Sequence, residues 1–104
     1  MNAASIHALQ LSERQRALVQ ALLARHVPDT EVWAYGSRIG DAAKPWSDLD
    51  LVVFASPAQQ NAVAGLRESF AESDLPFRVD LFVWDKIPAS FRENIRNRHV
   101  VIQR

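Results

Sequence analysis

The chain has 104 residues, 48% of them apolar and 23% charged, a balance that suits a folded domain and excludes a disordered one. Twelve Lys plus Arg offset twelve Asp plus Glu. No cationic surplus is left to grip a nucleic-acid backbone, which argues against such a partner. The absence of cysteine excludes disulfides, thiolate metal sites and cysteine nucleophiles, and fits a reducing cytoplasm.

Residues 1–104 are expected to form a single domain, a length that buries about two-thirds of the unfolded surface. Arg14 and Arg16 interrupt the first twenty residues, so no secretory leader is expected there. No run approaches the roughly 18 apolar residues of a membrane span.

Residues 12–26 read as a helix. Ser12 is placed to cap it and Gln15 to complete a capping box, while Leu18, Leu22 and Leu23 form its apolar stripe. Pro28 and Asp29 stop it. Residues 31–35 and 49–54 read as strands, apolar enough for burial on both faces. Ser56-Pro57 opens a second helix reaching about Glu72, with Val63, Leu66 and Phe70 inward. Residues 77–84 alternate as a strand, with Phe77, Val79, Leu81 and Val83 on one face and Arg78, Asp80, Phe82 and Trp84 on the other. A short helix from Pro88 to Arg96 and a strand over 99–103 complete the order α-β-β-α-β-α-β. The expected architecture is α/β (α+β), a small mixed sheet flanked by helices.

The chemistry-bearing residues gather around Tyr35-Gly36-Ser37-Arg38 and Ser47-Asp48-Leu49-Asp50-Leu51. Positions i and i+2 of a strand point to one side, roughly 6.6 Å apart. Asp48 and Asp50 thus set two carboxylates together, where they repel unless a cation or proton joins them. Oxygen donors of this kind suit Mg²⁺. Asp80 lies in an otherwise apolar run, Val79-Asp80-Leu81-Phe82-Val83, where a lone carboxylate is costly. If its strand lies beside the second one, Asp80 completes the three-carboxylate set that a two-metal phosphoryl or nucleotidyl transfer uses. Gly36 lets a phosphate approach the backbone, Ser37 offers a hydroxyl and an N–H at a helical start, and Arg38 can add a charge-assisted contact.

Each residue also has a plainer reading. Asp48 with Ser47 suits the cap of a solvated turn. Asp80 can pair with Arg78 or Arg38, and Arg38 can pair with a surface acid. Lys44 suits a solvated loop, and Trp46 a packing or interface role. Arg92, Arg96, Arg98 and Arg104 form a mildly basic set, either a solvated face or a surface for an acidic partner or the acceptor. His7, His26 and His99 lack metal-ligand spacing.

Gly36-Ser37, a ten-residue gap, Asp48-Leu49-Asp50 and the later Val79-Asp80-Leu81 together resemble the DNA polymerase β-type nucleotidyltransferase superfamily, in particular its minimal branch. Ala43-Lys44-Pro45 and Leu75-Pro76-Phe77-Arg78-Val79-Asp80 strengthen the likeness, which runs over about residues 11–104. One departure falls in the loop: the family often has glycine where this chain has Asp41, preceded here by Gly40.

The resemblance implies the polymerase β-like fold and transfer of a nucleoside monophosphate from ATP or another NTP to an acceptor hydroxyl. It implies Gly36 and Ser37 on the triphosphate, Asp48 and Asp50 on two Mg²⁺ ions, and Asp80 on the catalytic one. It also implies a hetero-oligomer with a small all-helical HEPN-type or substrate-binding-type partner, some such pairs being toxin–antitoxin modules. The competing expectations are a non-catalytic module that neutralises a helical partner, and a transferase acting on a small hydroxylated molecule.

Overall fold

The computed structural model of the chain describes residues 3–41 and 43–104; residues 1 and 2, and residue 42 within the Ser37–Ser47 link, lie outside the described residues. Strands β1 (Ala3–Ala4), β2 (Val32–Tyr35), β3 (Leu49–Val53), β4 (Val79–Val83) and β5 (His99–Gln103) alternate with helices α1 (Glu13–His26), α2 (Gln60–Glu72) and α3 (Ala89–Asn97). The sheet runs β1-β5-β2-β3-β4. β2 is antiparallel to both β3 and β5, whereas β4 is parallel to β3 and β1 parallel to β5.

Local chemistry sets the helix boundaries. The Ser12 hydroxyl accepts from the Gln15 N–H at 3.1 Å, and the Gln15 side chain accepts from the Ser12 N–H at 3.0 Å. This closes the expected capping box at the start of α1. A 3₁₀ turn over Pro57–Gln59 leads into α2, and the Gln59 side chain accepts from the Ser56 N–H at 2.9 Å.

Strand alternation sorts the core onto two faces. Leu49, Leu51, Val53 and Leu81 are buried, as are Val19 and Leu23 of α1 and Val63, Leu66 and Phe70 of α2. These pack as one apolar cluster. His26 and Ser69 are joined at 2.8 Å between α1 and α2. The opposite face carries Trp33, Tyr35, Asp50, Asp80, Trp84 and His99, partly covered by α3. There Trp33 stacks on His99 with centroids 3.8 Å apart, and Arg92 and Arg96 lie over the Trp84 ring. His99 is fully buried, with Nδ1 3.1 Å from the Ile95 carbonyl oxygen, and serves packing. Among the described residues, no helix is long and apolar enough to cross a membrane.

The pairing of Ala3–Ala4 with β5 adds a strand absent from the sequence reading. The same N-terminal segment reaches the functional loop. Leu9 bridges Ile39, and the Gln10 N–H donates to the Arg38 carbonyl at 2.7 Å.

Candidate active site

β3 and β4 run side by side with Asp50 directly opposite Asp80, and β2 places Tyr35 opposite Asp50 on the other side. All three therefore project from one face of the sheet. β2 then breaks into a 3₁₀ turn over Gly36–Arg38. Gly36 has φ +84°, and a Cβ added to it would overlap the Asp50 Oδ2 atom. Only glycine suits both the left-handed backbone and the space the carboxylate occupies. Gly36 and Ser37 are exposed beside it.

Asp48 sits just before β3, where the Leu49 N–H donates to the Arg78 carbonyl at 2.9 Å. That bond draws the start of β4 against the Asp48 turn. The Arg78 guanidinium lies 2.9 Å from Asp48 and 3.1 Å from Asp80, linking the two carboxylates. Arg78 is 71% exposed, so this clamp is a surface arrangement. Both acids raise its pKa, Asp48 foremost. The pairing of Asp80 with Arg78, one of the plainer readings, is what the side chains adopt.

Asp50 lacks a guanidinium of its own. Burial first, then the charges of Asp80 and Asp48, push its carboxyl up to about 6, with Arg78 opposing. The same burial, followed by Asp50 and Asp80, raises the Tyr35 phenol, which stays neutral. Among the described residues, no three acidic or histidine side chains form a ready-made metal cage. Asp50 and Asp80 form an in-register pair, and Asp48 is joined to Asp80 through Arg78. Like charges repel, so the arginine between them is the lower-energy arrangement.

Arg38 corrects an expectation. It is 4% exposed and faces inward. Its guanidinium donates to the carbonyls of Ser47 (2.9 Å), Gln10 (2.7 Å) and Pro45 (3.0 Å), and lies 3.9 Å from the Phe77 ring centroid. A fork already holding carbonyls from two segments is not free for a triphosphate. Its work is to pin the Ser37–Ser47 link. Burial lowers its pKa, with Asp48 opposing. Lys44 is exposed, and Trp46 is 72% exposed beside the carboxylates.

A cleft of about 450 Å³ opens next to Asp50, lined on one side by Tyr35, Gly36 and Ser37 and on the other by Phe91, Asn94 and Arg98 of the α3 region. That volume lies in the range of small-molecule sites. Phe91 packs edge-on to Tyr35 with centroids 5.9 Å apart. Of the α3 wall, the sequence singled out Arg98 alone, as one of a basic set, and not Phe91 or Asn94. The signal existed: Phe91, Ile95 and Arg98 fall at i, i+4 and i+7, one helical face.

The model of the nucleotidyltransferase domain family matches residues 16–102, most of the chain and every residue of the carboxylate face. The chain belongs to that family. A curated relative from Haemophilus influenzae, named "Probable protein adenylyltransferase MntA", is 46% identical over 96 residues, covering 91% of this chain and 84% of that protein. The chain is thus a nucleotidyltransferase of the minimal type, a transferase enzyme, with a mixed α/β fold consistent with the polymerase β-like one. In this nucleotidyltransferase the exposed glycine-serine turn and Asp50 line one cleft, and Asp80 stands opposite Asp50 on the neighbouring strand.

Proposed function

We propose that this nucleotidyltransferase moves AMP from ATP onto a hydroxyl of a partner protein, and that Asp48, Asp50 and Asp80 carry the chemistry. One observation supports the reading above the others. Asp50 and Asp80 stand opposite each other on adjacent parallel strands, and Asp50 is held against a glycine whose missing Cβ leaves it room. The relative's printed name points to protein adenylylation, and its similarity extends over 91% of this chain.

The donor set fits Mg²⁺: carboxylate oxygens only, with Asp50 left near 6 by burial and by its acidic neighbours. Asp48 and Asp50 would hold two ions, and Asp80 the one nearer the acceptor. Bound there, such ions would supply acidification of the attacking hydroxyl and charge neutralisation of the departing pyrophosphate. The chain's own residues do the rest. The Gly36-Ser37 turn offers backbone and hydroxyl donors to the triphosphate. The cleft orients the nucleoside for attack at the α-phosphorus. Asp80 takes up the proton of the acceptor hydroxyl. Arg38 keeps the loop rigid, and Arg78 yields its carboxylates when a divalent cation competes for them.

The acceptor in this reading is a second protein, a small all-helical HEPN-type partner that is itself modified, as in a toxin–antitoxin pair. Such chemistry belongs in the cytoplasm, where ATP is abundant. Intact mass of that partner after incubation with the enzyme, ATP and Mg²⁺ tests the reading. One added AMP is expected, lost in the Asp48→Asn/Asp50→Asn double variant; an unmodified partner contradicts it.

The Arg78 clamp favours one second reading, a non-catalytic module that binds and neutralises its partner. It requires that neutralisation survive in the double variant and that the parent bind no ATP with Mg²⁺.

A further inference from the structure

A nucleoside triphosphate brings several negative charges, and the Gly36-Ser37 turn supplies no cation. The arginines nearest the aspartates are already engaged. Arg38 is buried against the carbonyls of Gln10, Pro45 and Ser47. Arg78 pairs with Asp48 and Asp80 and, even where a cation would release it, does not line the cleft.

Arg98 is different. It lies just after α3 and lines the same cleft as Gly36, Ser37 and Asp50. Its side chain is exposed, and among the described residues no carboxylate pairs with it. It is also held in place. One Nη2 N–H donates to the Ile39 carbonyl, 59 positions away in sequence. The same nitrogen occupies the space above Gly40, where an added Cβ would lie 2.5 Å from it. Gly40 has φ +94°, a conformation that favours glycine. The loop thus bends so as to admit the guanidinium. The guanidinium makes no other hydrogen bond among the described residues, and the side chain lines the cleft. An arginine fixed at one nitrogen and open at the others is pre-organised for an anion, because less side-chain freedom is lost on binding.

We propose that Arg98 is the phosphate-binding cation of the nucleotide cleft, grasping the triphosphate across from the Gly36-Ser37 turn. The proposal rests on the nucleotide-transfer reading and adds a residue to it. Gly40 is then a positioning residue that acts through Arg98.

Calorimetric titration of the full chain with adenosine, AMP, ADP and ATP, each with Mg²⁺, tests this. Arg98→Ala should weaken ATP about 10- to 100-fold, the loss of one or two charge-assisted hydrogen bonds. Adenosine affinity should hold, with the deficit growing from AMP to ATP. Arg98→Lys should recover part of it. Gly40→Ala should reproduce the same ATP-selective loss with the arginine still present. Unchanged ATP affinity in Arg98→Ala, with or without a lower unfolding midpoint, makes Arg98 a loop tether only and overturns the proposal. An equal loss for adenosine and ATP overturns it too. A parent chain that binds no nucleotide refutes the transfer reading itself, and this proposal with it.

Discussion

Replacing Asp50 by Asn should make the protein more stable while removing its activity. The carboxyl is half-buried between β2 and β4, and burial with its acidic neighbours holds it near 6 instead of the ordinary 3.8. Between those values the folded chain keeps a proton that the unfolded chain has released. Stability from this group is therefore greatest at low pH and falls as pH rises from about 4 to about 6. Above that window the folded state carries a charge it disfavours. Full conversion at 1.36 kcal/mol per pK unit gives at most about 3 kcal/mol. Solvent screening of a half-exposed group reduces this to about 1–2 kcal/mol. Asn is nearly the same shape and carries no charge. Urea unfolding of both proteins at pH 4, 6 and 8 should show the variant ahead by about 1–2 kcal/mol at pH 8, and thermal unfolding should show its midpoint raised by roughly 4–15 °C for a domain this size. The gap should close towards pH 4. Added Mg²⁺ should stabilise only the parent, since ligand binding to the folded state raises stability by mass action. A variant less stable at pH 8, or a gap that ignores pH, refutes the electrostatic reasoning.

Gly36→Ala should lower stability by about 1–3 kcal/mol, because alanine is strained at φ +84° and its methyl would displace Asp50; chemical unfolding and ATP turnover should fall together. Arg38→Ala should cost about 1–3 kcal/mol, since it removes a buried side chain and the donors that tie the carbonyls of Gln10, Pro45 and Ser47 together. Arg38→Lys should rescue little of this, as a single ammonium cannot reach both segments. Arg78→Ala should tighten Mn²⁺ or Mg²⁺ binding several-fold by calorimetry, because the competing charge on Asp48 and Asp80 is gone. The same variant should move the Asp50 carboxyl above about 6, visible by NMR titration, since Arg78 now opposes the rise.

Features with local causes were legible in the sequence. The α1 capping box follows from Ser12 and Gln15, and the alternation of residues 77–84 places Arg78 and Asp80 on one face. Gly36 before Ser37 marked a turn, and Asp80 stood out as a carboxylate in an apolar run. The features that escaped depend on long-range packing. A two-residue strand at Ala3–Ala4 has no periodicity to read, and exists only because β5 offers an edge. The inward turn of Arg38 depends on carbonyls from the N-terminal segment, which no motif includes. Arg98 looked like one of several basic residues near the C-terminus, because its partners Ile39 and Gly40 lie far away in sequence. The adjacency of β3 and β4 was conditional on topology, and it is what brings Asp80 opposite Asp50.

Paramagnetic titration offers the most direct test of the shared-carboxylate claim. With Mn²⁺ and a non-hydrolysable ATP analogue added to ¹⁵N-labelled protein, amide signals of Gly36, Ser37, Asp48, Asp50 and Asp80 should broaden first and together, and Asp50→Asn should abolish the effect. Broadening centred elsewhere, or spread evenly over the surface, contradicts a cation site built from these strands.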